Sequence, residues 1–298
     1  MAFVAVVVIG GTNFVAVRFS NRELPPFWGA SIRFFAAAAV LAAFAIVRRF
    51  DFPRGPALTG AVAYGLLGFG AAYAFGYWGL QRVSAGLAAV TLALTPLITF
   101  GLAVAQGQEP FRWRPLAGAA VALAGITVMF RGSVSDAIPV LSLLALVATG
   151  GLSAEASIVV KRFPRSHPVT MNVVGMLTGA VVLLILSLIT REPHPLPSQA
   201  STWVALAYLV VLGSSTIFVL FLYVLQHWSA SSVAYQFVLF PLVALTLSSV
   251  LERASFPPTL LAGMAFVLAG VYAGAVSQVP FVRAPHRLGT EPCLNCAE

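Results

Sequence analysis

Long apolar runs, separated by short polar, Pro-rich or Gly-rich breaks, follow one another along the whole chain. Each run is roughly 20 residues long, the length that an α-helix needs to cross a bilayer. The pattern predicts an all-α integral membrane protein with ten transmembrane helices. These spans are numbered in chain order and cover residues 2–19, 26–47, 57–80, 84–105, 115–130, 138–160, 168–189, 203–226, 230–250 and 259–278.

Composition supports the membrane class. Of the 298 residues, 59% are hydrophobic and only 9% are charged, and the mean hydropathy is +0.94. A soluble domain devotes about a quarter of its residues to charges, so the surrounding medium here is expected to be a lipid bilayer. The net charge of +8 would suggest nucleic acid in a soluble protein. Here the basic residues lie at span ends, which indicates membrane orientation and no nucleic-acid partner.

The distribution of Lys and Arg over alternate loops predicts the orientation. One side of the membrane carries the larger group, and cytoplasmic loops are the ones enriched in Lys and Arg, so both termini are expected in the cytoplasm. The larger group is Arg48, Arg49, Arg54, Arg112, Arg114, Lys161, Arg162, Arg165, Arg283 and Arg287; the smaller is Arg18, Arg22, Arg82, Arg131, Arg191 and Arg253.

The chain contains an internal repeat at an offset of 145 residues. "GLQRVSAGLAAVTLALTPL" (79–97) lies over "VLQHWSASSVAYQFVLFPL" (224–242), and "LAGAAVALAG" (116–125) lies over "LAGMAFVLAG" (261–270). Gly68 falls over Gly213. Because each half has five spans, an odd number, the second half must enter the membrane inverted, and such folds place a substrate site near the midplane between the repeats. We expect repeats at 1–132 and 133–279 and a cytoplasmic tail at 280–298.

These repeats resemble the EamA-type drug/metabolite transporter superfamily. The shared features are a Ser near the start of the fourth span of each half, a mid-span Pro, an acidic loop and a G-x6-G helix, and the opening motif adds Asn13 in "GGTNFVAVRF" and Pro25 or Pro26 with Arg33 in "PPFWGASIRF". The residues concerned are Ser84, Pro96, Glu109, Gly118 and Gly125, then Ser229, Pro241, Glu252, Gly263 and Gly270.

The resemblance implies a multi-pass transporter of the bacterial cytoplasmic (inner) membrane. Members of the YddG type export aromatic amino acids, and several aromatic residues of this chain would suit such a substrate. They are Tyr73, Tyr77, Trp78, Phe218, Phe221, Tyr223 and Tyr235.

Candidate substrate-binding residues come from polar and aromatic stripes. Hydroxyls recur at helical spacing on the fourth span, and their repeat partners on the ninth span include Gln236. Such a stripe either joins helices or lines a pore. Tyr73 and Tyr77, beside a stripe of glycines on the third span, are either core residues or a stacking surface. The expected binding residues are Asn13, Tyr73, Tyr77, Ser84, Thr91, Thr95, Tyr235 and Gln236.

Two prolines occupy equivalent interior positions. Pro96 and Pro241 each remove an N–H and free the carbonyl four residues earlier, at Leu92 and Phe237. Those carbonyls are candidates to face the cavity. The prolines are predicted to act as hinges of a gate, and a static kink is the alternative.

Two charged residues fall within or at the end of spans. Arg33 is expected either to be anchored by loop carbonyls or Asn13, or to attract a substrate carboxylate. Glu155 is expected to form an interfacial ion pair with Lys161 or Arg162, and the alternative is proton coupling.

No enzyme motif is present: the sequence contains no HExxH, no GxSxG and no GxxxxGK[ST]. Cys293 and Cys296, with His286, would supply too few ligands for a structural zinc site, so no metal or cofactor is expected. The sequence therefore predicts a secondary transporter of small metabolites, in the first place an amino-acid exporter, and is compatible with a monomer. The alternatives are an exporter of another metabolite or drug, a channel, or a scaffold or lipid-handling protein.

This transporter is expected to have a central cavity lined by the first, third, fourth, sixth, eighth and ninth spans. The fifth and tenth spans, with their paired glycines, are expected at the periphery.

Overall fold

A computed structural model of the protein describes residues 1–81, 85–129, 140–251 and 258–274. Within these ranges the regular structure is helical throughout. Ser84 and the 280–298 tail, with Cys293 and Cys296, lie outside the described residues. The uninterrupted helices are Ala2–Ser20, Pro26–Val47, Trp113–Met129, Val140–Arg162, Pro168–Ile189 and Pro258–Gly274.

The predicted ten-helix membrane architecture is confirmed, with small shifts at the boundaries. The third span starts at Pro56, the fifth at Trp113 and the eighth at Ala200. Five helical stretches are long and apolar enough to cross a membrane on their own: Pro26–Val47, Pro56–Leu80, Val140–Arg162, Pro168–Ile189 and Ala200–His227. In the other five spans the apolar stretch is shorter. These stretches are Ala2–Asn13, Thr95–Ala105, Trp113–Val128, Ala230–Ala244 and Leu261–Gly274.

The third and eighth spans each contain a π-helical segment at the middle. The third runs as Pro56–Tyr64, the π segment Gly65–Ala71 and Ala72–Leu80; the eighth runs as Ala200–Val210, the π segment Val211–Thr216 and Ile217–His227. The 145-residue offset superposes these segments. Such segments are rare and often mark functional sites, and the sequence pattern did not predict them.

The two π segments have different local environments. In the eighth span, Ser215 Oγ donates to the carbonyl of Val210 at 2.8 Å, and Thr216 Oγ1 donates to that of Val211 at 2.8 Å. Each hydroxyl thus binds the carbonyl five residues earlier. In the third span a glycine permits close packing instead, since a Cβ on Gly65 would lie 2.4 Å from the carbonyl oxygen of Gly175.

The fourth and ninth spans are interrupted. The fourth consists of Ala85–Leu92 and Thr95–Ala105, with Pro96 in the first turn of the second helix. Thr95 Oγ1 donates to the Leu92 carbonyl at 2.6 Å, so the carbonyl freed by the proline has a partner within its own span. The ninth consists of Ala230–Ala234 and Gln236–Leu251, and here Pro241 lies inside the second helix. The break therefore precedes the proline by a different distance in each half.

The fifth and tenth spans pack directly against each other. A Cβ on Gly118 would lie 2.6 Å from the carbonyl oxygen of Gly270, and one on Gly125 would lie 2.7 Å from that of Gly263. The paired glycines thus bring the two backbones into contact, as small residues do between membrane helices.

At one end of the bundle, each half caps a helix of the other half. Glu192 accepts from the amides of Phe27 at 3.2 Å and Trp28 at 2.8 Å, at the start of the second span. Glu23 accepts from the hydroxyl of Ser198 and from the amide of Gln199 at 3.2 Å, at the start of the eighth span. Carboxylates stabilise helix N-termini by satisfying free N–H groups and by the helix dipole. We call this pair of contacts the acidic clasp.

The opposite end carries the larger group of basic residues. Arg49, Arg54 and Arg165 surround one surface depression there, together with Asp51 and His167. The loops at this end are also joined across the halves, because Thr170 Oγ1 donates to the Asp51 carbonyl at 2.9 Å. We call this the basic end.

Candidate substrate cavity

A cavity of about 260 Å³ lies between the two halves. The first, third, fourth, sixth, eighth and ninth spans all contribute to its wall, as the sequence predicted. The second span, which was not among the predicted lining spans, adds Arg33. Pockets for small molecules are typically concave and mostly apolar with a few placed polar groups. Polar and aromatic residues of the wall include Asn13, Arg33, Tyr64, Phe69, Tyr73, Tyr77, Thr149, Ser153, Ser157, Phe218, Phe221, Gln236, Phe237 and Phe240.

Aromatic rings form one continuous part of this wall. Tyr73 packs edge-on against Phe34 with ring centroids 4.8 Å apart, and Phe69 packs edge-on against Phe218 at 4.6 Å. Tyr77 follows Tyr73 at 6.1 Å. Rings held by edge-to-face contacts keep fixed orientations and offer flat apolar surface to a ligand. Phe34 is fully buried behind these rings and does not line the cavity, so we call Phe69, Tyr73, Tyr77 and Phe218 the aromatic wall.

A polar corner adjoins the aromatic wall. Arg33 is only 3% exposed, and its Nε donates to Ser214 Oγ at 2.7 Å. Its Nη2 donates to the carbonyl oxygen of Gly213, and Asn13 Nδ2 donates to the same oxygen at 3.1 Å. A side-chain contact also links Arg33 to Tyr77. We call Asn13, Arg33, Gly213 and Ser214 the polar corner.

The partners of Arg33 differ from the first of its two predicted roles. Instead of loop carbonyls or Asn13, the guanidinium binds Gly213 and Ser214 in the π segment of the eighth span, and attraction of a substrate carboxylate stays a prediction. The helix starts at Pro26 and rises about 1.5 Å per residue, which carries Arg33 about 10 Å along the span and past the loops.

Two oxygens in the cavity wall have no hydrogen-bond partner among the described residues. They are Asn13 Oδ1 and the hydroxyl oxygen of Tyr64, both buried. Buried polar atoms in proteins are nearly always hydrogen-bonded, so a small side-chain movement that brought these oxygens to the cavity surface would let a ligand or water satisfy them. Gln236, 5% exposed, adds an amide from the ninth span.

The structure brings part of the predicted site together. Asn13, Tyr73, Tyr77 and Gln236 line the cavity. Thr91 and Thr95 are buried in the fourth span but do not belong to the wall, where the same span contributes Leu92 instead.

Tyr235 lies away from the cavity. It is 1% exposed, and its hydroxyl donates to the carbonyl of Pro115 at 2.7 Å. It belongs to one core cluster with residues of the fifth and tenth spans, such as Ala119 and Val271. The ninth span is interrupted at this residue, which directs the ring towards those spans.

Glu155 also differs from expectation. Its Oε2 accepts from Gln106 Nε2 at 2.7 Å, in place of the predicted ion pair with Lys161 or Arg162. Lys161 is instead close enough to Glu109 for electrostatic attraction. The Glu109 carboxylate also accepts from the Ser231 amide at 3.1 Å, at the start of the ninth span.

The sixth span carries wall residues that the sequence analysis missed. Thr149, Ser153 and Ser157 recur at intervals of four and line the cavity together. The spacing that identified the fourth span would have identified this stripe too. Two of the hydroxyls bind their own helix: Thr149 donates to Ala145 at 2.9 Å, and Ser157 donates to Ser153 at 3.0 Å.

The two halves each match a known family model. Residues 1–131 and 139–273 match the EamA-like transporter family. The chain belongs to this family. It is 30% identical over 256 residues to YedA of Escherichia coli strain K12, an uncharacterized inner membrane transporter, covering 83% of this chain and 81% of YedA.

Other relatives have more specific names. A probable amino-acid metabolite efflux pump of Salmonella typhimurium is 26% identical, over 90% of this chain and 91% of the pump. An S-adenosylmethionine/S-adenosylhomocysteine transporter of Chlamydia trachomatis serovar L2 is 25% identical, over 88% of this chain and 84% of that protein. A crystal structure superposes with a TM-score of 0.80 at 20% identity, over 93% of this chain and 96% of that one, which supports the fold.

Proposed function

We propose that this EamA-family transporter exports amino acids, aromatic or otherwise neutral, across the bacterial cytoplasmic membrane. The observation that supports this is the central cavity, in which an aromatic wall adjoins a polar corner containing one buried arginine. An amino acid has the same division into a charged head and, for the aromatic members, a flat apolar side chain. The Salmonella relative named as an amino-acid metabolite efflux pump points to the same class.

Alternating access would use the inverted repeat. The units 1–132 and 133–279 would rock about the cavity between them, with the hinges at Pro96 and Pro241. The basic end would face the cytoplasm by the positive-inside rule, which places both termini there. A single chain encloses the cavity, so a monomer would suffice.

Transport accounts for the cavity better than catalysis does. A nucleophile with an adjacent base, or two facing carboxylates, would be needed for the common hydrolytic and transfer reactions. The described residues of the cavity wall present neither arrangement. The proposal therefore requires no cofactor, and the driving force would be a gradient of the substrate or of protons.

S-adenosylhomocysteine is a second candidate, because the chlamydial relative is named for it and for S-adenosylmethionine. It joins an amino-acid head to an aromatic base, which also suits the polar corner and the aromatic wall. S-adenosylmethionine adds a sulfonium cation, and none of the described wall residues is acidic. Of these two, the cavity favours the uncharged thioether.

Counterflow in proteoliposomes tests the proposal. Vesicles with the purified chain would be preloaded with unlabelled phenylalanine, tryptophan, threonine, S-adenosylhomocysteine or glucose and then given the same compound labelled. We expect saturable uptake of phenylalanine and tryptophan, none of glucose, and loss of uptake in Gln236→Leu.

The matched control is Thr127→Ala, because that hydroxyl only binds its own helix at Leu123, 2.9 Å away on an exposed face. Folded protein that transports none of the amino acids would refute the proposal. Transport of S-adenosylhomocysteine alone would select the second candidate.

A further inference from the structure

We propose that the polar corner recognises the carboxylate of the transported molecule, with Arg33 as its anion-binding group and Asn13 as the acceptor for an adjacent N–H donor. This inference rests on the proposed function only in taking the central cavity as the transport site. It adds a chemical requirement, that a good substrate carries a carboxylate, and it names the residues that impose the requirement.

The first argument is the charge of Arg33. A guanidinium stays protonated in proteins, and burying it inside a membrane protein is costly unless an anion accompanies it. The partners of Arg33 in the described structure, Ser214, Gly213 and Tyr77, are neutral. None of the described residues lining the cavity is acidic. A carboxylate from a ligand would supply the missing negative charge.

The second argument is donor capacity. A guanidinium has five N–H groups in a planar fork that matches a carboxylate. The bonds to Ser214 and Gly213 engage Nε and Nη2, and they fix the plane of the group at the cavity wall. Donors therefore remain for a ligand, and the group is already oriented before the ligand arrives, which lowers the entropic cost of binding.

The third argument comes from the repeat. Counted from the first residues of the two helices, which are 142 residues apart, Arg33 stands seven residues after Pro26 and Gly175 seven residues after Pro168 in the equivalent helix of the other half. There the third span approaches so closely that a Cβ on Gly65 would lie 2.4 Å from the Gly175 carbonyl oxygen. The equivalent helix thus meets the third span through a glycine at this level, so packing against the π-containing span does not by itself require an arginine.

Asn13 completes the site. Its Nδ2 donates to the Gly213 carbonyl that also accepts from Arg33, so the two side chains converge on one atom. Since a carbonyl oxygen can only accept, the amide must present its nitrogen there, which leaves Oδ1 buried and without a partner among the described residues. A rotation of the amide that moved Oδ1 off Gly213 and into the cavity would set an acceptor beside a cation, which matches the amino group and the carboxylate that an α-amino acid carries on one carbon.

The position of the aromatic wall sets the orientation of the bound molecule. Tyr77 contacts Arg33, and Tyr73 lies 6.1 Å from Tyr77 on the side of Phe34 and Phe69. A ligand with its carboxylate on Arg33 would place an aromatic or aliphatic side chain along the rings of Tyr77, Tyr73 and Phe69. The carboxylate then determines whether a molecule binds, and the wall determines which side chains fit.

A ligand series on the intact chain tests the requirement without any mutation. Binding to the purified protein in detergent would be measured by titration calorimetry for phenylalanine, phenylalanine amide, phenethylamine and 3-phenylpropionate. Because hydrogen bonds to charged groups are strong, we expect phenylalanine to bind about 10- to 100-fold more tightly than the amide or the amine. We expect 3-phenylpropionate, which lacks the amino group, to bind more tightly than phenethylamine.

Variants then assign the effect to residues. Arg33→Gln should reduce the preference for phenylalanine over its amide to less than about threefold, and Arg33→Lys should keep a reduced preference because it keeps the charge. Asn13→Leu should weaken phenylalanine but not 3-phenylpropionate. Thr127→Ala, on an exposed face, serves as the control.

Each outcome has one meaning. Equal binding of phenylalanine and its amide by the wild-type chain, or an unchanged preference in folded Arg33→Gln, would overturn the carboxylate site and leave amino-acid transport standing. Binding of none of the four compounds would overturn both the carboxylate site and the aromatic amino acids as the transported class. If Arg33→Gln does not fold, the wild-type series and Arg33→Lys still decide the question.

Discussion

The side chain of Asn13 and the backbone of Gly213, which lie in opposite halves of the chain, meet at a hydrogen bond of 3.1 Å between Nδ2 and the carbonyl oxygen. The approach depends on glycine, since a Cβ on Gly213 would lie 2.3 Å from Asn13 Oδ1. The contact therefore joins the first span to the π segment of the eighth at the cavity wall.

A methyl group at this junction should disable the cavity while leaving the fold in place. Gly213→Ala must displace Asn13, and with it the oxygen shared with Arg33. We expect counterflow to fall at least about tenfold and stability to fall by about 1–3 kcal/mol, the usual cost of overpacking. Transport rate and thermal unfolding would be measured on the same preparation.

Gly151→Ala is the control, because nothing lies within 4 Å of a Cβ at that position. It should transport normally and be about 0.5–1 kcal/mol more stable through helix propensity. Normal transport by Gly213→Ala would show that the junction tolerates a side chain, contrary to this geometry.

The glycine contact between the fifth and tenth spans should matter for stability alone. A Cβ on Gly118 would lie 2.5 Å from the amide nitrogen of Gly274 and 2.6 Å from the carbonyl oxygen of Gly270, and backbone atoms cannot move aside as a flexible side chain can. We expect Gly118→Ala to lower the free energy of unfolding by about 1–3 kcal/mol. Gly101→Ala, with nothing within 4 Å, should be neutral or stabilising. Equal melting temperatures for the two variants would contradict this prediction.

The fold could be predicted from the sequence because its signals are long and repeated. Ten apolar runs determine the spans, and the 145-residue repeat, with an odd number of spans in each half, determines the inversion. The starts of the second and seventh spans followed from Pro26 and Pro168, since proline suits the first turn of a helix. These features depend on composition over many residues and hardly on tertiary contacts.

The details of the site were less predictable, because they depend on interruptions that leave little trace in sequence. The break at Tyr235 turns that ring to the fifth and tenth spans, whereas the sequence predicted it among the aromatic residues that suit the substrate. The π segments adjust which faces of the third and eighth spans meet the cavity. The partners of Arg33 lie about 180 residues away in sequence, and only the packed structure shows which carbonyl it meets.

Glu23 of the acidic clasp gives a pH-dependent prediction. Hydrogen bonding from Ser198, above all, lowers the pKa of the Glu23 carboxyl from its usual 4.5. The folded state thus favours the carboxylate, and its contribution is complete above pH 4.5 and is lost as pH falls through the lowered pKa. We expect wild type to melt above Glu23→Gln at neutral pH and the gap to close below pH 4.5.

Ser198→Ala tests the cause of that shift. Removal of the main hydrogen-bond donor should bring the Glu23 pKa back towards 4.5, so the pH dependence that distinguishes wild type from Glu23→Gln should shrink. A gap that persists unchanged in acid would mean that the carboxylate charge at this clasp does not contribute to stability.

His167 at the basic end should make stability sensitive to mild acid. Its Nδ1 accepts from the Val169 amide at 3.3 Å as the cap of the seventh span, and its ring stacks on Phe50 with centroids 3.8 Å apart. Burial lowers the pKa of His167 from 6.5, so the neutral ring that can accept is favoured on folding.

That contribution is complete above pH 6.5 and is lost as pH falls through the lowered pKa, where protonation removes the acceptor. Asparagine is also a good helix cap but does not titrate. We therefore expect His167→Asn to lose less stability than wild type between pH 7 and 5, measured by thermal unfolding. Parallel curves for the two proteins would exclude His167 as the source of acid sensitivity.

Pro96 should control the rate of transport more than the affinity for substrate. It follows the break between Ala85–Leu92 and Thr95–Ala105, and the Leu92 carbonyl left free by the proline accepts from Thr95 Oγ1 at 2.6 Å. Pro96→Ala restores an N–H that competes for this carbonyl, which favours a continuous helix and a single arrangement of the fourth span. Leu92 lies in the cavity wall, so the break is next to the substrate.

We expect Pro96→Ala to slow counterflow by about tenfold or more, equivalent to about 1.4 kcal/mol on the barrier, with substrate affinity within about threefold of wild type. Pro168→Ala is the matched control, because Pro168 occupies the first turn of an uninterrupted helix. It should change neither quantity. If both proline variants transport at the wild-type rate, the kink of the fourth span is static, and the conformational change must be sought in other elements such as the π segments of the third and eighth spans.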